Sequence, residues 1–117
     1  GRLDTAEAWY RKSLVIAEGL ENRPVMATSL SQLGMLLREQ GDYEASMSAT
    51  LTALHIYLEL GSNDAAAGFH SLRMLHEAVG QERFVELWGV VHGSDTLLNR
   101  VLKLFGQTSN LSEEPGS

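Results

Sequence analysis

Apolar side chains recur along this chain at spacings of three and four, the period of an amphipathic helix, and glycine-bearing turns interrupt them at near-regular intervals. Between Asp4 and Leu20, the residues Ala6, Trp9, Tyr10, Leu14, Ala17 and Leu20 share one helical face. Pro24 suits the first turn of a second helix, where its missing N–H leaves nothing unsatisfied. Met26, Leu30, Leu33, Leu36 and Leu37 carry that helix towards Gln40. Gly41 is a natural stop, because glycine adopts the left-handed conformation without a steric penalty. A third helix is predicted from Asp42 to Leu60 on Tyr43, Met47, Leu51, Leu54, Tyr57 and Leu58. A fourth takes Ser62 or Asn63 as its N-cap, buries Phe69, Leu72 and Leu75, and ends at Val79 before Gly80. Phe84, Leu87, Trp88 and Val91 define a fifth helix from Gln81 to His92. Asp95 caps a sixth that carries Leu97, Leu98, Val101, Leu102 and Phe105. From Gly106 to Ser117 the composition is that of a fraying, flexible tail.

The pattern also repeats at long range. A shift of forty positions overlays Gly1 on Gly41, Leu14 on Leu54, Ile16 on Ile56 and Leu20 on Leu60. A shift of 39 overlays Leu30, Leu33 and Leu36 on Phe69, Leu72 and Leu75, and Gly41 on Gly80. A helix pair recurring at this spacing is the mark of a solenoid, in which each pair leaves an apolar face for its neighbour to cover. Within the best-defined unit, Leu30, Leu33, Gly34 and Leu37 form a large–large–small–large set, followed by Gly41 and Tyr43 at the turn and by the small Ser46 and Ala53. This set resembles the tetratricopeptide repeat, with Thr50 in a slot that family usually fills with an aromatic. Ala6, Tyr10 and Ser13 resemble the second helix of a preceding unit, whereas Arg73 stands where Gly34 stands in the 39-residue overlay. The unit length resembles the long variety found in kinesin light chain and in bacterial regulatory arrays.

The resemblance implies an all-α, right-handed α-α superhelix of five to six antiparallel helices, a C-terminal fragment of a longer array. Residues 1–20 would be the second helix of a truncated repeat, 24–60 a complete repeat, 62–92 a degenerate repeat, 95–105 a capping helix and 106–117 the tail. Since Gly1 matches Gly41 and Gly80, Trp9, Tyr10 and Leu14 are expected to lack one neighbour, which makes them the expected site of homodimer contact.

Composition narrows the function. A chain of 117 residues makes a single domain, and 44% apolar content supports a folded core. With no cysteine there is no disulfide framework, no thiolate metal site and no cysteine nucleophile. The net charge is −6 and the nine basic residues are scattered, so the dense cationic patch of a nucleic-acid binder is missing. No apolar run reaches membrane-spanning length, and a cytoplasmic location is expected. His70 and His76 are six residues apart and point in different directions, and "HEAVG" at 76–80 places Gly80 where a second zinc ligand would sit. Glu82 and Glu86 share a helix face as solvated glutamates commonly do, and no phosphate-binding or serine-hydrolase motif occurs. No enzyme activity, cofactor or metal is expected.

In the resembled family the first helix of each pair lines a concave groove. That nominates Thr28, Ser31, Gln32, Met35 and Arg38, with Ala67, His70, Ser71, Met74 and Glu77 as their 39-residue partners. Small polar groups, thioethers, a guanidinium and an imidazole suit a peptide bound by contact and hydrogen bonds. The expected function is non-catalytic protein–protein interaction. The alternatives are a ligand- or peptide-sensing module of a larger bacterial regulator, and self-assembly through the first helix.

Overall fold

The computed structural model describes residues 2–113, the side chains of 3 and 107–113 excepted, and leaves Gly1 and 114–117 outside. Within that range the chain forms α1 (Arg2–Gly19), α2 (Arg23–Glu39), α3 (Tyr43–Glu59), α4 (Ala65–Val79), α5 (Gln81–Val90) and α6 (Asp95–Glu113). The architecture is all-α, with no strand among the described residues.

Local chemistry sets most boundaries. Pro24 lies in the first turn of α2, and Asn22 Oδ1 accepts the Val25 N–H at 3.3 Å. Asp42 does the same for α3, accepting from Ala45 N–H at 3.2 Å. Each bond satisfies one of the amide donors that a helix start leaves unpaired. Gly41 (φ +84°) and Gly80 (φ +86°) hold the left-handed backbone that their sequence positions predict. Glu21 (φ 54°) and His92 (φ 58°) adopt it without glycine's freedom, at roughly 1–2 kcal/mol each.

Three boundaries differ from the sequence expectation. At α6 the cap is Ser94, whose Oγ accepts the Leu97 N–H at 3.3 Å, and the expected cap Asp95 is the first helical residue. α4 begins after Asp64, which makes no side-chain capping bond, rather than on Ser62 or Asn63. Ser62 Oγ instead accepts the Asp64 N–H at 3.0 Å, closing a local turn that competes with helix initiation. α6 runs on to Glu113 instead of stopping at Phe105, so 106–113 is helix where a tail was expected. Gly106 costs a helix about 1 kcal/mol relative to alanine, too little to end it, and the next strong breaker in the sequence is Pro115.

The helices stack in chain order. α1 packs on α2, α2 on α3, α3 on α4 and α5, and α4 on α5, while α2 also meets α4. The result is elongated, 52 × 33 × 23 Å, with a radius of gyration of 15.1 Å; a compact chain of this length would give about 13 Å. One core cluster joins α2 and α3 through Ala27, Ala53, Ile56 and Tyr57, with the partly buried Ala65 of α4 packed against it. A larger one joins α3 to α6 through Met47, Leu54, Leu72, Leu75, Phe84, Leu87, Trp88 and Val101.

Between α2 and α3 the packing depends on small residues. A Cβ on Gly34 would lie 2.6 Å from Thr50 Oγ1, and the buried Ser46 hydroxyl donates to the Gly34 carbonyl at 2.6 Å. At the other end the contacts are aromatic. Phe84 meets Trp88 at 5.8 Å, Phe105 at 6.0 Å and His76 at 5.2 Å between ring centroids. The Trp88 N–H donates to the Ser94 carbonyl at 3.1 Å, and Gly93 lets that backbone cross the indole, since a Cβ there would lie 2.3 Å from Nε1. Arg73, in the slot that Gly34 fills one unit earlier, places its guanidinium 5.5 Å from the Phe105 ring centroid.

Candidate partner-binding surfaces

α2 turns Leu33, Gly34 and Leu37 inward, and the 3.6-residue period therefore leaves Thr28, Ser31, Met35 and Arg38 on the opposite stripe. Thr28 is exposed, whereas Ser31, Gln32, Met35 and Arg38 are half-buried. The Thr28 hydroxyl donates to the Pro24 carbonyl at 3.0 Å, and the otherwise buried Tyr57 brings its hydroxyl to 3.5 Å from Thr28 Oγ1. On α4, burial of Leu72 and Leu75 leaves Ala67, His70, Met74 and Glu77 exposed. Ser71 is 9% exposed and belongs to the packed side of α4, not to this stripe. α2 and α4 also meet each other.

The stripe is chemically mixed. Met35 and Met74 supply adaptable apolar contact, and Ser31, Gln32 and Thr28 supply donors and acceptors. Arg38 enters no ion pair among the described residues, while Glu77 pairs with Arg73 at 3.8 Å. Arg73 and Glu77 also border a cleft of about 300 Å³ between α4, the start of α5 and α6, with His76, Gln81, Leu102 and Phe105. His76 Nε2 is buried there with no hydrogen-bond partner. Among the described residues no group of three or more His, Asp or Glu is placed to hold a metal ion. No described helix is long and apolar enough to cross a membrane.

The second surface is on α1. Trp9, expected to lack a neighbour, is 64% exposed, and no described helix covers that side of α1. Tyr10 and Leu14 are half-buried. Leu14 corresponds to Leu54, which packs on the following helix, so the open face centres on Trp9 and Ile16 rather than Leu14.

Stacked helical hairpins with an exposed first-helix stripe define an α-helical repeat protein. Residues 1–59, the first half of the chain through the end of α3, match the family model described as Tetratricopeptide repeat. The chain belongs to the tetratricopeptide repeat family, whose members typically act as non-catalytic scaffolds for protein partners. No curated protein and no solved structure matches it.

Proposed function

We propose that this chain is a protein-interaction module that holds a peptide segment of a partner along the α2/α4 stripe. The observation that carries the reading is that α2 and α4, two helices that meet, each keep a stripe outside the buried core, with Ser31, Met35 and Arg38 half-buried on α2 and His70 and Met74 exposed on α4. Their mixture of thioether, hydroxyl, guanidinium and imidazole matches an extended or helical peptide better than a small rigid ligand. Arg38 is the natural anchor for a carboxylate or backbone carbonyl. The division into repeats supports the same reading, with α2 and α4 as the first helices of successive units.

A peptide library panned against the chain supplies the probe. The best binder is then titrated into isotope-labelled protein. Amide shifts concentrated at 31–38 and 70–74 are expected, and the double variant Met35→Ala, Arg38→Ala should weaken binding about tenfold or more. Shifts confined to α1 or α5, or a double variant that binds as tightly as the parent, would refute the reading.

A further inference from the structure

Two of the four methionines stand at equivalent places in the internal repeat. A shift of 39 residues overlays Met35 of α2 on Met74 of α4. Of the five stripe pairs that this shift defines, it is the one that keeps the same side chain, since Thr28, Ser31, Gln32 and Arg38 overlay Ala67, His70, Ser71 and Glu77. The other two methionines serve the core: Met47 is fully buried, and Met26 packs partly buried against the α2–α3 cluster. Met74 is 36% exposed and Met35 is half-buried. The chain has no cysteine, so these thioethers are its only sulfur and its readiest targets for a peroxide.

Each outer methionine also has a hydrogen-bond donor one turn away. Arg38 follows Met35 by three residues and His70 precedes Met74 by four, the spacings that make neighbours on a helix surface. Neither Arg38 nor His70 enters an ion pair among the described residues. A thioether is a weak acceptor and leaves such donors to a partner, whereas a sulfoxide oxygen is polar and competes for them. On the reading of this stripe as a peptide site, we propose that it is also an oxidation switch: a peroxide converts Met74 and Met35 to sulfoxides, and the bound peptide is released. The sulfur lone pair takes one oxygen atom as the oxygen–oxygen bond breaks. The thioether loses two electrons, and the peroxide is reduced to water or an alcohol. The new oxygen turns an adaptable apolar contact into a polar one and occupies the Arg38 and His70 donors. A methionine sulfoxide reductase restores the thioether, with a dithiol oxidised to a disulfide and water released.

The probe is the peptide selected against the unoxidised chain. The protein is treated with hydrogen peroxide, desalted, mapped by mass spectrometry after proteolysis, and titrated with that peptide. Met74 and then Met35 should gain oxygen before Met26 and Met47, and affinity should fall about fivefold or more. Methionine sulfoxide reductase with dithiothreitol should recover it. In the double variant Met35→Leu, Met74→Leu, affinity should not change on peroxide treatment, whatever its starting value; in Met26→Leu the fall should match the parent's. Oxidation of Met47 as early as Met74, or a double-leucine chain as peroxide-sensitive as the parent, overturns the proposal. A peptide that binds at 31–38 and 70–74 and is held equally tightly by the doubly oxidised protein overturns it while leaving the α2/α4 site standing. A peptide that the unoxidised chain holds elsewhere refutes the site itself, and the switch falls with it.

Discussion

In the α2/α3 hairpin, Gly34, Ser46, Thr50 and Ala53 let two backbones approach until a hydroxyl bridges them. Forty residues on, α4, α5 and α6 are held apart and together by Phe84, Trp88, Phe105 and His76, with Arg73 in place of the glycine. The first arrangement gains close backbone contact and leaves the outer stripe of α2 undisturbed. The second gains buried ring area, needs a shorter α5, and uses α6 as a third wall. One solenoid register therefore tolerates two packing schemes, provided that volume is matched across each contact.

The comparison breaks most sharply at Phe84. Fully buried and in ring contact with His76, Trp88 and Phe105, it should cost about 3–5 kcal/mol when replaced by alanine. Urea denaturation would measure this, and a loss below about 1 kcal/mol would show that the rings are not what holds the C-terminal end. The N-terminal hairpin should instead respond to added volume. Gly34→Ala is expected to cost about 1–3 kcal/mol by overpacking against Thr50, and Thr50→Ala in the same chain should recover much of it. A double-mutant cycle without such coupling would contradict the close approach.

Placing glycine in the other half sharpens the contrast. Arg73→Gly should destabilise, not relax, the α4–α6 end, by about 1–2 kcal/mol from helix propensity and the lost guanidinium–ring contact. A rise in melting temperature would mean that the arginine merely obstructs the tighter packing. The smallest effect concerns the acid limb of the N-terminal half. Glu7 is held below its ordinary value of 4.5 by hydrogen bonds from Arg11 and then Gln40. A depressed carboxyl contributes stability that is present above 4.5 and is lost as pH falls through its folded value. Glu7→Gln should therefore slightly flatten the decline of melting temperature on acidification and leave the C-terminal end unaffected.

Much of this was readable in one dimension. The three- and four-residue spacings located six helices, and Gly41 and Gly80 marked turns that hold positive φ. The cap of α6 fell one residue earlier than its sequence position suggested, on Ser94 rather than Asp95. What escaped were features that depend on a distant neighbour or on competition between local bonds. Ser62 closes a turn instead of capping a helix, and α6 continues through a glycine that carries only a modest penalty. Within the proposed stripe, Thr28, His70 and Met74 are exposed and Met35 is half-buried, while Ser71 turns towards the core. A one-residue rotation on a helix is 100°, so a shift overlay that is one position loose at its edges moves a side chain from groove to core.

The two tryptophans mark where each kind of information ends. By itself, the sequence determined the helical class, the repeat and the small-residue contact at Gly34, because these follow from periodicity and from side-chain size at neighbouring turns. The repeat register also led to the expectation that Trp9 lacks a neighbour, but only the tertiary structure decided that Trp88 is sealed beneath Gly93 with its N–H bonded to Ser94. Burial is a property of what packs against a residue, and no local pattern states whether that partner is there.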